Sequence, residues 1–143
     1  MQFVSARLSW NSFDTVIMMG SNFGLFGGFN RAKHLLKDFN RIVSDRGQII
    51  AEVVDPDQTK EPLHRAYHGL NLSRGRMAGQ LRIRVRHGKT IGKWFDHLLV
   101  SRNELRQIVA GSGWRIVQII SDTGPGYTVV LKKSRSPATD PRR

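Results

Sequence analysis

Cysteine is absent from this 143-residue chain. That excludes a disulfide framework, a cysteine-ligated zinc or iron–sulfur centre and a thiol nucleophile. No apolar run approaches the roughly 20 residues that a membrane-spanning helix requires. The opening residues, Met1-Gln-Phe-Val-Ser-Ala-Arg7, lack the basic-then-apolar layout of a secretory signal. Together these absences lead us to expect a cytoplasmic domain with no membrane partner. Acidic residues are scarce too: 11 Asp and Glu stand against 23 Lys and Arg, a formal charge of +12. With 39% hydrophobic and 24% charged residues, the composition is that of a globular chain rather than a disordered one. A single domain of this length buries roughly 68–70% of its unfolded surface, enough for a real core.

The positive charge is clustered. Residues 74–93 carry Arg74, Arg76, Arg82, Arg84, Arg86, Lys89 and Lys93 with no acid, and residues 132–143 add a further +4. Such clustering is an electrostatic footprint for a polyanion such as nucleic acid, or a solvated strand face followed by a basic tail. Arg82, Arg84 and Arg86 alternate with Ile83 and Val85, the period of a half-buried strand. The tail 134–143 is polar and holds two prolines, so disorder is expected there. Residues 1–12 read as a lead-in, and 13–133 as the folded part.

Along the chain, Phe13–Gly20 is a short run, apolar at every position from Val16 to Met19. It predicts a strand buried on both faces, as in a parallel sheet. A glycine-dense loop, Gly20–Gly28, follows. Phe29–Arg41 has helical spacing at Ala32, Leu35, Leu36 and Phe39. Ser44–Gly47 reads as a break and Gln48–Val54 as a second buried strand, completing a βαβ unit. Asp55–Pro62 has turn chemistry, and 63–79 shows no clear pattern. Gln80–His87 and Trp94–Val100 predict an inserted antiparallel hairpin turning between Gly88 and Gly92. Ser101 and Glu104 form a capping box for a helix carrying Leu105, Ile108 and Val109 and ending at Gly111 or Gly113. Trp114–Ile120 and Tyr127–Leu131 close the chain as a hairpin. Trp94, Phe95, Trp114 and Tyr127 are expected to pack in the core or sheet. The fold class is α/β: a partial Rossmann-like sheet, mostly parallel, with an antiparallel C-terminal hairpin edge and an inserted β-hairpin.

Ligand sites in open α/β sheets gather at the carboxyl ends of strands, which draws attention to two places. Gly20–Gly28 is neither G-x-G-x-x-G nor a P-loop; Phe23, Leu25 and Phe26 make it apolar, and its glycines with Asn22 and Phe23 suit an aromatic base or thioether, or simply close helix–sheet packing. Glu52, Asp55 and Asp57 at the next strand's end could bind a metal, act as a base, or form a turn. His64 and His68, four apart, could share a helical face, but no Glu follows His64 as H-E-x-x-H demands. No metal site is expected, and no G-x-S-x-G supports a serine hydrolase.

The segments Phe13–Gly27, Gly47–Pro56, Arg74–Arg86, Trp94–Ser101 and Gly111–Trp114, in that order and spacing, resemble a class I S-adenosylmethionine-dependent methyltransferase. More narrowly, about residues 10–133 resemble the C-terminal half of such a domain. The resemblance implies a seven-stranded sheet in which Thr15–Gly20 is the fourth strand and Gln48–Val54 the fifth. Trp114–Ile120 and Tyr127–Leu131 become the sixth and seventh. It implies S-adenosylmethionine as cofactor, with Gly20, Ser21, Asn22 and Phe23 beside it. Asp55, His68, Arg74 and Arg76 are the candidates for holding the acceptor, with a small molecule favoured; no catalytic residue is assigned. The chain departs from the family in one respect. The glycine loop after the first strand and the acid after the second, which hold the donor, have no counterpart here. A truncated chain that binds donor weakly or not at all is therefore expected, its fourth strand exposing an unpaired edge that needs the other half or self-association to cover it. The alternative is a non-enzymatic remnant that binds nucleic acid or a partner chain through Arg74–Lys93.

Overall fold

The computed structural model describes residues 8–121 and 123–134. The predicted tail, apart from Ser134, lies outside them. Strand β1 (Phe13–Met18) leads through a short 3-10 turn (Asn22–Phe26) into helix α1 (Phe29–Ile42), which passes directly into strand β2 (Val43–Val54). A second 3-10 turn (Pro56–Gln58) precedes helix α2 (Pro62–Ser73). An arm follows, made of strands β3 (Gln80–Ile83), β4 (Arg86–His87), β5 (Thr90–Ile91) and β6 (Phe95–Leu98). Helix α3 (Arg102–Val109) and the hairpin β7 (Trp114–Ser121) and β8 (Gly126–Lys133) complete the chain.

The main sheet has the order β1-β2-β8-β7. β1 pairs with β2 in parallel, as a right-handed βαβ unit requires. β8 lies antiparallel between β2 and β7. Only one of the three pairings is therefore parallel, which corrects the expectation of a mostly parallel sheet. The reason is local: the tight connection after β7 reverses the chain, and β8 inserts inward instead of staying outside. The hairpin thus does not form the edge as a unit, because β8 is interior and only β7 is at the rim. The predicted break at Ser44–Gly47 is absent as well. β2 runs through it as a bulge, since Phe13 pairs with Val43 while Thr15 pairs with Gln48.

One face of this sheet is the core. Met18, Ile49, Ala51, Val53, Tyr127, Val129 and Leu131 are buried there. They pack under Ala32, Leu35 and Leu36 of α1 and Leu105, Ile108 and Val109 of α3. Both helices obey the predicted spacing, and Ser101 caps α3 as expected: its hydroxyl accepts the Glu104 N–H while the Glu104 carboxylate accepts the Ser101 N–H. The Trp114 indole donates to the Leu36 carbonyl at 2.7 Å, tying the start of β7 to α1. Among the described residues the opposite face has no such cover. Ile17 is 66% exposed, Ile120 is exposed, and Ile50 and Val130 are half-buried. The prediction that the first strand is buried on both faces is corrected accordingly: among the described residues β1 has one neighbour, β2, and one helical layer.

The inserted hairpin forms as β3 pairs antiparallel with β6, with β4 and β5 a small ribbon beyond them. Trp94, expected to pack, is 53% exposed at the arm. The segment without pattern is α2, which begins on Pro62 and leaves Leu63, Leu70 and Leu72 largely in solvent. Among the described residues no helix is long and apolar enough to cross a membrane.

Candidate functional site

β1 and β2 are neighbours in parallel, so the segments leaving their carboxyl ends lie side by side. At the end of β1, Gly20 and Ser21 both take left-handed φ angles, 63° and 59°. The Gly20 N–H donates to the Glu52 carboxylate at 2.7 Å, pinning the loop to β2. Asn22 is exposed, whereas the Phe23 side chain is fully buried. It meets Phe26 edge-on at 4.8 Å between ring centres. Phe23 is thus a core residue that anchors the loop, buried in backbone and side chain alike. Gly24 matters for packing: a Cβ there would overlap the His97 ring from β6. Burial holds the His97 imidazole below its ordinary value of 6.5. A shallow hollow of about 390 Å³ lies next to this loop, lined by Met19, Glu52, Ile120 and Thr128 among others.

At the end of β2, Asp55 is buried and caps the 3-10 turn, its Oδ1 accepting the Asp57 N–H at 3.0 Å. The Asp-Pro-Asp run is therefore a turn, and the predicted acidic group is dispersed: Glu52 serves Gly20 and Asp57 is exposed. Beside Asp55 a cavity of about 570 Å³ opens between α2 and the arm. Leu63, His64, Tyr67 and His68 face it from α2, and Leu81, Arg82 and Ile83 from β3. Thr59 Oγ1 lies 3.1 Å from His64 Nδ1 and accepts the Glu61 N–H at 3.3 Å.

α2 is held over this cavity at its far end by Asn71, a buried residue whose side-chain amide donates to the carbonyls of Ala78 and Gln80 at 3.0 and 2.9 Å. Lower down, the Arg82 N–H donates to the Tyr67 hydroxyl at 3.4 Å. The Val100 N–H donates to the Val54 carbonyl at 2.9 Å, joining the arm's base to β2. Below it, the Tyr127 hydroxyl donates to the Val100 carbonyl at 2.7 Å. Burial first, and then the Asp55 charge, push that phenol well above its ordinary value, so it remains a donor.

Of the residues singled out from sequence, the fold brings together Asp55 and His68, with His64 as a third group, around one cavity. Arg74 and Arg76 do not reach it. Arg74 is exposed at the end of α2, and Arg76 forms an ion pair with Asp96 at 3.7 Å. Sequence reasoning missed Leu63, Tyr67, Leu81 and Ile83, although the spacing of Leu63, Tyr67 and Leu70 is that of one helix face. Among the described residues no three His, Cys, Asp or Glu gather as a metal-holding group.

No protein-family model and no curated protein matches this chain. Solved structures do match. A SAM-dependent methyltransferase from Bacteroides fragilis, in complex with S-adenosyl-L-homocysteine, superposes with a TM-score of 0.70 at 17% identity, over 90% of this chain and 51% of that one. One from Methanosarcina mazei gives 0.63 at 14%, over 91% and 63%. The CcbJ methyltransferase from Streptomyces caelestis gives 0.62 at 11%, over 91% and 65%. The chain thus has the fold of SAM-dependent methyltransferases, and it spans about half to two thirds of the length of these structures.

Proposed function

We propose that residues 13–133 form the acceptor-side part of an S-adenosylmethionine-dependent methyltransferase. One observation carries this reading. The Gly20–Asn22 loop and the cavity at Asp55 leave the carboxyl ends of adjacent parallel strands, where such sheets place their ligands. The likeness to solved methyltransferases supports it, as does the bound S-adenosyl-L-homocysteine of the Bacteroides fragilis protein. The acceptor in this reading is a small molecule.

The residues present fit the donor only in part. The Gly20 N–H is engaged by Glu52 and the Phe23 ring is in the core. Ser21 and the exposed Asn22 therefore offer a wall, not a cradle. The donor supplies an electrophilic methyl group, and its amino-acid and ribose ends call for elements that are not among these 143 residues. What the chain's own residues contribute is the acceptor's shelter: α2 and the arm form the walls, and positioning is the main demand of such a transfer. The partner that completes the site is a segment or chain adding a strand to the free edge of β1. Calorimetry with S-adenosylmethionine tests the reading. The chain alone should give little heat, and the chain joined to a donor-binding first half should give a saturable isotherm. No heat from the joined protein would overturn the reading.

A second reading rests on the arm. Arg84 stacks over the exposed Trp94 ring at 4.7 Å. Arg86, Lys89 and Lys93 are exposed beside it, with no acid between Glu61 and Asp96. Cations interleaved with an open aromatic suit single-stranded nucleic acid.

A further inference from the structure

The cavity at Asp55 is a slot with two unlike long walls. From α2 come Leu63 and Tyr67, one helical step apart; from β3 come Leu81 and Ile83, two residues apart and so on one face of the strand. Apolar surface on both sides, in about 570 Å³, is a volume suited to a small molecule of ring-system size. Leu63 is 77% exposed, so among the described residues this apolar wall stays open to a ligand.

The polar groups decide the rest. Arg82 lines the slot, and its guanidinium shares the single Asp96 carboxylate with Arg76, at 3.2 and 3.7 Å, so one positive charge is left over beside the slot. Asp55 sets a carboxylate on the wall at the end of β2. Its Oδ1 takes one N–H, from Asp57. His64 is fixed through Nδ1 at Thr59, which leaves Nε2 for a ligand. His68 makes no hydrogen bond among the described residues and also faces the slot. The Asp55 carboxylate on one side and that residual positive charge on the other leave the slot near neutral, so neither an anionic nor a cationic ligand gains a net opposite charge there. A ligand's hydroxyl can donate to the Asp55 carboxylate and exchange a hydrogen bond with the two imidazoles, whose ring nitrogens donate or accept according to tautomer.

We propose that the slot between α2 and β3 binds an uncharged, flat aromatic molecule bearing a hydroxyl group. Its ring lies between Leu63 and Tyr67 on one side and Leu81 and Ile83 on the other, and its hydroxyl turns to Asp55, His64 and His68. The inference rests on reading this cavity as the acceptor site, and it names the acceptor's chemical class.

The probes are 2-naphthol, 2-naphthoate and 2-naphthylmethylamine, each titrated into the full chain at neutral pH. Binding is followed by the ring signals of the histidines and the methyl signals of leucine and isoleucine in NMR spectra. The naphthol should bind at least tenfold more tightly than the charged probes and shift the His64 and His68 rings. Leu63→Asp, at an exposed position that the fold tolerates, should weaken it at least tenfold. Leu72→Asp, exposed on the same helix but away from the slot, should leave binding unchanged. The inference is overturned if either charged probe matches the naphthol, if the naphthol does not bind, or if both variants weaken it equally. It fails separately from the methyltransferase reading. Naphthol binding without donor heat in the joined protein sinks the enzyme and keeps the slot; donor heat without naphthol binding does the reverse.

Discussion

His97 and Tyr127 show how far single residues depend on their surroundings. His97 packs its ring against Gly24, with no room for a Cβ between them. Because burial lowers its pKa, the folded state resists the proton that the unfolded chain accepts from about pH 6.5 downward. The stability it contributes is therefore present at neutral pH and is lost as the pH falls below that value. Urea unfolding should show a steeper drop between pH 7.5 and 5.5 for the native chain than for His97→Gln, which binds no proton in this range. Equal drops would show that His97 is not the group responsible. Asp55 makes a related point. Its role as a turn former was readable from Asp-Pro-Asp, yet its place on a cavity wall was not, because the rest of the lining comes from residues as far along the chain as Leu99 and Pro125.

At the scale of elements, legibility followed packing. α1 and α3 were readable because each lays an apolar stripe on the core, and the capping box of α3 marked its start. α2 was not, because it leaves much of its apolar surface over a cavity and in solvent, so no buried stripe marks its period. The break read into Ser44–Gly47 shows the reverse error: polar residues and a glycine can be a bulge inside a strand. The arm belongs to this scale too. If its cations bind single-stranded nucleic acid, the affinity of the chain for poly(U) should fall steeply with salt, and Arg84→Ala with Arg86→Ala should flatten the slope by about 1.4. A salt-independent signal, or an unchanged slope, would leave the arginines as a solvated face.

For the molecule as a whole, the exposed face and free edge of β1 are the governing feature. A run such as Val16–Met19 carries the composition of an interior strand, but here it stands at the rim with Ile17 open. Apolar surface beside unpaired backbone groups invites another strand or sheet to cover it. Sedimentation velocity at rising concentration should reveal self-association of the chain, and Ile17→Lys should weaken it at least tenfold while leaving the core face untouched. A chain that stays monomeric at every concentration would show that this edge recruits nothing by itself.

By itself the sequence determined the strands β1, β2, β7 and β8 and the helices α1 and α3. Their periods and caps are local properties, set by which side chains must leave water. It also marked the two loops that leave the parallel strands, since glycine runs and Asp-Pro-Asp act over a few residues. Only the tertiary structure decided that β8 inserts between β2 and β7, that one sheet face is uncovered, and that α2 and β3 enclose a slot over Asp55. Those outcomes depend on contacts between segments far apart in the chain, where hydrogen-bonding partners compete and no local pattern names the winner.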